Sequence, residues 1–187
     1  CLLSRGLGDV YKRQIKRVQQ PNIMIRKANL EDLDELIKLY RGSIKKMISK
    51  KISQWDHEYP NKEVLKKDIL AQNYYVFFDQ DEIIGGVTID ENIDIAYKNI
   101  KWKNNCFYTI HRLVVKHNKW GIGIGKKLMF FAEELAKKNN KKSLRLDTYF
   151  DNTIANSFYI GLDYKFKGKI LLKEHKKFYY CYEKMIK

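Results

Sequence analysis

The stretch that decides the fold runs from Leu113 to Lys127: Leu113-Val114-Val115-Lys116-His117-Asn118-Lys119-Trp120-Gly121-Ile122-Gly123-Ile124-Gly125-Lys126-Lys127. The apolar, β-branched run at its start predicts a strand. Glycines at 121, 123 and 125 predict a turn whose backbone can approach a ligand closely. Ile124, Leu128, Phe131, Ala132, Leu135 and Ala136 then recur on one helical face until Asn139 and Asn140 stop it. A strand that feeds a glycine turn and then a helix offers free N–H groups, with the helix dipole behind them, to an anion. Lys126 and Lys127 add positive charge beside it.

Two phosphate-binding patterns fail here. A P-loop needs a glycine where Trp120 stands and a Ser or Thr where Lys127 stands. A dinucleotide fingerprint needs G-x-G-x-x-G, whereas these glycines are spaced G-x-G-x-G. The reading left open is the pyrophosphate arm of coenzyme A.

Working back toward the N-terminus, Phe107 to Lys116 reads as one strand, preceded by a polar, irregular stretch at 91–105. Tyr74 to Phe78 and Ile83 to Ile89 read as a hairpin around the turn Asp79-Gln80-Asp81-Glu82, with Gly85-Gly86 marking a bend or bulge. Asn29 caps a helix carrying Leu33, Leu36, Ile37, Tyr40, Ile44, Met47 and Ile48; Asn61 caps a second with Val64, Leu65, Asp68 and Ile69. Toward the C-terminus come a strand from Ser143 to Tyr149, a helix from Asn152 to near Leu162, and strands from Tyr164 to Leu172 and Lys177 to Ile186. The predicted order is β-α-α-β-β-β-α-β-α-β-β, one mixed α/β sheet with helices on both faces.

These segments, in this order from Met24 to Lys187, resemble the GCN5-related N-acetyltransferase (GNAT) family. Its signature, Gln/Arg-x-x-Gly-x-Gly/Ala, matches at Gly123 and Gly125, with Trp120 where Gln or Arg is usual. The resemblance implies a mostly antiparallel central sheet flanked by helices, with acetyl-CoA as cosubstrate. It implies that the strand edge at Leu113, Val114 and Val115 pairs with the pantetheine arm. The pyrophosphate would lie on the N–H groups of Trp120, Gly121, Ile122, Gly123, Ile124, Gly125 and Lys126. Asn152 corresponds to an asparagine that contacts the pantetheine, and Tyr159 to a tyrosine that protonates the departing thiolate. Asp163 replaces the glycine of the usual Leu-Gly-Tyr, which bears on the local turn alone.

Each residue also has a plainer reading. Tyr159 and Phe158 fit an amphipathic helix as core aromatics, and Asn152 fits as a helix cap. His111, two residues before Leu113 on the same strand, is a candidate base with an ordinary pKa of about 6.5; it also fits as a hydrogen-bonded structural histidine. Asp147 on the neighbouring strand could orient His111, receive an amine, or be a satisfied buried carboxylate. The loop Trp55-Asp56-His57-Glu58-Tyr59 falls where an acceptor pocket forms in this family, with Trp55, Asp56, Glu58 and Tyr59 as candidates beside Asp147 and the weaker Tyr149 and Tyr182. The expected activity is direct transfer of an acetyl group from acetyl-CoA to a primary amine. Alternatives are a catalytically silent acyl-CoA-binding module and a basic nucleic-acid-binding domain.

Composition supports a packed globule: 187 residues, 44% hydrophobic, without repeats or low-complexity tracts. The net charge of +15 comes from 30 lysines but 7 arginines, spread along the chain with no aromatic RNA-binding motif. This skew fits an AT-rich genome better than a nucleic-acid interface. Cys1, Cys106 and Cys181 lack metal-ligand spacing, and no metal site is expected. No apolar run has membrane-spanning length, so a cytoplasmic protein is expected, with a homodimer open. Residues 1–14, ending Asp9-Val10-Tyr11-Lys12-Arg13-Gln14, resemble translated sequencing adapter and are expected to be non-native. Residues 15–23 are expected to be a leader, and 24–187 a single domain.

Overall fold

The computed structural model describes residues 24–80, 82–172 and 177–187. The expectations for residues 1–14 and 15–23 lie outside the described residues. The chain opens with β1 (Met24–Lys27). Asn29 and Asp32 then form a reciprocal capping box: the Asn29 side chain accepts from the Glu31 and Asp32 N–H groups, and the Asp32 carboxylate accepts from the Asn29 N–H at 2.8 Å. This box starts a 3-10 turn (Leu30–Asp32) that leads directly into α1 (Leu33–Ser49). Asn61 accepts from the Val64 N–H and starts α2 (Lys62–Leu70). After them come β2 (Tyr74–Asp79), β3 (Glu82–Asp90), a short 3-10 turn (Ile95–Asn99) and β4 (Phe107–Val115). The remaining elements are α3 (Ile124–Lys138), β5 (Ser143–Tyr149), α4 (Thr153–Gly161), β6 (Lys165–Leu172) and β7 (Lys177–Met185). No helix is long and apolar enough to cross a membrane among the described residues.

The seven strands form one sheet in the order β1-β2-β3-β4-β5-β7-β6. Every neighbouring pair is antiparallel except β4 and β5, which run parallel. Both faces are covered, and β2 shows why its sequence is a continuous apolar run. Tyr74 and Val76 enter the core under α1 and α2; Tyr75 and Phe77 enter the core under α3 and α4.

The stretch at 91–105, which reads as irregular in the sequence, holds the Ile95–Asn99 turn. Its Tyr97 is 1% exposed and packs with Ile100, Tyr149, Ile170, Tyr179 and Cys181 in a third core. A five-residue turn has no periodic signal, so this cluster was not legible. The Gly85-Gly86 pair answers crowding. A Cβ at Gly85 would lie 3.1 Å from Leu128 Cδ1, and one at Gly86 would lie 2.7 Å from Tyr74 Cε1. The register does shift on either side of the pair, between Phe77 and Phe78 on β2 and between Gly86 and Thr88 on β3.

The second shift is a bulge on β4. Gly86 pairs with Val114 and Thr88 with His111, so Arg112 and Leu113 together oppose Val87. Arg112 takes φ +53°, a left-handed conformation uncommon for a residue with a side chain. A buried network holds it there. Arg112 Nε donates to Asp68 Oδ2 at 2.7 Å, and Nη2 lies 2.6 Å from the same oxygen. Arg112 Nη1 donates to the Tyr59 hydroxyl at 3.0 Å, Thr88 donates to Asp68 at 2.7 Å, and the Tyr40 hydroxyl donates to the Arg112 carbonyl at 2.5 Å. Removing one partner of such a pair strands a buried charge. Asp68→Ala should therefore lower unfolding free energy by about 3–5 kcal/mol. The double variant Asp68→Ala/Arg112→Ala should lose clearly less than the sum of the two single losses in urea denaturation.

Candidate active site

The bulge decides what happens beyond it. β4 and β5 pair from Phe107↔Ser143 to Ile110↔Leu146 and no further. From there β4 stays with β3 and β5 stays with β7, so the β5-facing edge of β4 is unpaired by any strand from His111 to Val115. Two cavities occupy the opening, of about 460 and 1190 Å³, and Gln54, Trp55, Leu113 and Tyr159 line both.

The smaller cavity lies over the glycine turn. Gly121 and Gly123 take φ +84° and +91°, and a Cβ on either would meet no atom within 4 Å, so backbone conformation rather than crowding demands glycine there. Gly123 is the N-cap of α3 and no side chain caps it, which leaves the first N–H groups of the helix to a ligand. Gly125 does meet crowding: its Cβ would lie 3.3 Å from Phe158 Cζ. Lys126 lines the cavity, whereas the Ile122 side chain is exposed. Trp120, the departure from the usual Gln or Arg, folds its indole back and donates to the Val115 carbonyl at 2.8 Å. Ser43 donates to the same oxygen at 2.9 Å. Both lone pairs of that carbonyl are thus engaged, and the edge expected at Val115 offers its N–H rather than its oxygen. Val114 lines the same cavity.

Asn152 does cap α4, accepting from the Ala155 N–H at 3.0 Å. Its amide donates to Gln54 Oε1 at 2.7 Å, and Thr148 donates to that same oxygen at 3.2 Å. Gln54, which nothing in its sequence neighbourhood marks, therefore ties the α1–α2 loop across the opening. Asp163 occupies the left-handed conformation at φ +66° that a glycine there would adopt freely.

The larger cavity lies between the α1–α2 loop, the Ile95–Asn99 turn and β6. His111 lines it, but not on the face shared with Leu113 and Val115 that simple alternation predicts. Ile110 packs in the same core as Leu113 and Val115, while Val114 packs in the opposite one, because the extra residue of the bulge resets the alternation. His111 Nε2 lies 3.2 Å from Asp90 Oδ1 and 3.2 Å from the Asn92 carbonyl. Burial pushes the Asp90 carboxyl up, but hydrogen bonds from His111 and Asn92 outweigh it and hold the group below the usual range. Asp147 also lines the cavity and accepts a short hydrogen bond from the Tyr97 hydroxyl. Desolvation raises its carboxyl despite that bond.

Trp55 and Tyr59 line the same space. Asp56 and Glu58 do not. Both are exposed, and Asp56 Oδ1 accepts from the Glu58 and Tyr59 N–H groups at 2.9 and 3.0 Å, which uses it as the pin of a turn. Tyr149 is buried in the third core, and Tyr182 lies under α4 donating to Asn156 at 2.7 Å; neither lines the cavity. Tyr159 packs in the core between Tyr164 and Tyr182, as its plainer reading expects, and also lines both cavities. Burial and the nearby Asp147 charge raise its phenol further, so it stays protonated at neutral pH.

Residues 34–164 match the model of the acetyltransferase (GNAT) family. Among solved structures, an acetyltransferase of the GNAT family from Streptococcus agalactiae superposes with a TM-score of 0.75 at 21% identity, over 88% of this chain and 96% of that one. A PaiA N-acetyltransferase from Thermoplasma acidophilum, in complex with coenzyme A, gives 0.65 at 25% identity over 87% and 98%. An acetyltransferase of the GNAT family from Staphylococcus aureus gives 0.64 at 18% over 88% and 99%. No curated protein matches the chain significantly.

Asp90 is favoured as the carboxylate in the folded state by hydrogen bonds from His111 and Asn92. Its depressed carboxyl contributes stability that is fully present above the unfolded value of about 3.9 and is lost as pH falls through the folded value. Urea unfolding of the parent and of Asp90→Asn should therefore differ most at neutral pH and converge as pH falls from about 5 towards 3.

Proposed function

The chain belongs to the acetyltransferase (GNAT) family, and from that premise we propose that it transfers the acetyl group of acetyl-CoA directly to a primary amine. The observation that carries this reading is the meeting of two cavities at Tyr159, one over an uncapped helix N-terminus and one lined by carboxylates. The residues present fit the cosubstrate. Open space at the left-handed Gly121 and Gly123 lets an anion reach the backbone, and the unpaired β4 edge offers N–H groups to an extended amide chain.

When bound, acetyl-CoA supplies a thioester whose carbonyl carbon is the electrophile. Ile124, Gly125 and Lys126 would hold the pyrophosphate by their N–H groups, and Leu113 and Val115 would align the pantetheine arm. An N–H on this edge would polarise the thioester carbonyl. Asn152 would contact the pantetheine while capping α4. The Tyr159 hydroxyl, kept protonated by burial, would give its proton to the departing sulfur. The acceptor would enter between Trp55, Tyr59 and Asp147, and its ammonium must lose a proton before it can attack. His111 is the proposed base, oriented by Asp90.

The test is isothermal titration of acetyl-CoA followed by an amine-acetylation assay. Acetyl-CoA should bind, and Tyr159→Phe should lower kcat about 10²-fold or more while changing the acetyl-CoA Kd less than twofold. Binding with no turnover on any amine would leave a silent acyl-CoA module. Absence of binding by folded protein would overturn the reading.

A further inference from the structure

The charges buried around the larger cavity do not balance. Arg112 is engaged by Asp68 and Tyr59. His111 is engaged by Asp90 and the Asn92 carbonyl. Lys67 and Lys169 border the cavity but are exposed to water. Asp147 is left over: among the described residues no lysine, arginine or histidine pairs with it. Among the described residues its hydrogen-bond donor is the neutral hydroxyl of Tyr97, which reaches Oδ1. With no direct ion pair among the described residues, Asp147 feels only the longer-range attraction of His111 and Arg112, and a cation brought by a ligand would stabilise its charged form. Around it stand aromatic rings, Trp55, Tyr59, Tyr97 and Tyr179, whose faces attract cations.

We infer that Asp147 is the seat of the acceptor's cationic nitrogen, that Tyr97 is the residue that positions it, and that the acceptor is a primary amine without an anionic group beside that nitrogen. Tyr97 donates to Oδ1 and so leaves Oδ2 to the ligand. It can do so because Ile95–Asn99 is locked from behind. The Asp94 side chain caps the turn through the Ala96 N–H at 2.7 Å, the Trp102 indole donates to the Tyr97 carbonyl at 3.1 Å, and the two rings pack 5.3 Å apart. An amino-acid acceptor would carry its carboxylate to within a few ångströms of Asp147, where like charges repel. An alkylamine would bring one positive charge and an apolar chain for the aromatic walls.

This inference rests on the acetyltransferase reading and is separable from it by experiment. The probes are pentylamine and norleucine, which differ by the carboxylate on the carbon that bears the nitrogen. Each is assayed for acetylation and titrated onto protein saturated with unacetylated coenzyme A, so that binding is read without turnover. Pentylamine should be preferred at least about tenfold in kcat/KM and in Kd, because norleucine sets a carboxylate beside Asp147. Asp147→Asn, which keeps the shape and removes the charge, should weaken pentylamine about tenfold and erase the preference, with the acetyl-CoA Kd unchanged. Tyr97→Phe should raise KM for pentylamine several-fold while kcat stays within about twofold, a split that general loosening of the fold would not produce. Equal or better use of norleucine by the parent protein would overturn the inference without reference to any variant. So would an Asp147→Asn protein that binds pentylamine as the parent does. Failure of acetyl-CoA itself to bind would overturn the acetyltransferase reading as well.

Discussion

The ion pair between Arg112 and Asp68 is the constraint on which the site depends. Arg112 holds a left-handed backbone conformation in the middle of a strand, and it does so because its guanidinium is clamped by a carboxylate on α2 and its carbonyl by a hydroxyl on α1. The bulge that results lies where β4 leaves β5. Backbone strain of this kind persists where surrounding contacts over-determine it, and here the strained residue borders the crevice itself.

Three consequences follow from one inserted residue. The end of β4 is left with an open edge toward β5. The face alternation is reset, so that Leu113 and Val115 pack in one core with Ile110 while His111 lies on the opposite face of the strand. Tyr59, which pairs with the Arg112 guanidinium, is drawn from the α1–α2 loop to the cavity wall. The same loop is tied at its other side by Gln54 to Asn152 and Thr148, so one segment bridges both strands of the opening. The 3-10 turn at Ile95–Asn99 completes the enclosure from the third side and brings Tyr97 to Asp147.

Most of the fold was legible because its signals are periodic or chemical. The amphipathic helices, the capping asparagines at 29, 61 and 152, and the glycine turn each have a local physical cause readable from neighbouring residues. The glycine turn also located the smaller cavity. The larger cavity was less legible. Its walls come from residues distant in sequence, and the contacts that define them, Arg112 with Asp68 and Tyr97 with Asp147, carry no local pattern. The bulge defeated the alternation argument for His111, since one unpaired residue flips every side chain after it. Asp56 and Glu58 looked like pocket carboxylates beside Trp55 and Tyr59, but a loop without period gives no facing, and Asp56 is spent on its own turn.

On the proposed reading, the parted ends of β4 and β5, with the turn at the start of α3, form the seat of acetyl-CoA. Amide hydrogen exchange resolved to single residues, with and without acetyl-CoA, tests it most directly. Exchange should slow at the N–H groups of Leu113 and Val115 on the strand edge and of Ile124 to Lys126 at the helix start. Protection confined to other surfaces, or none in protein that remains folded, would contradict it.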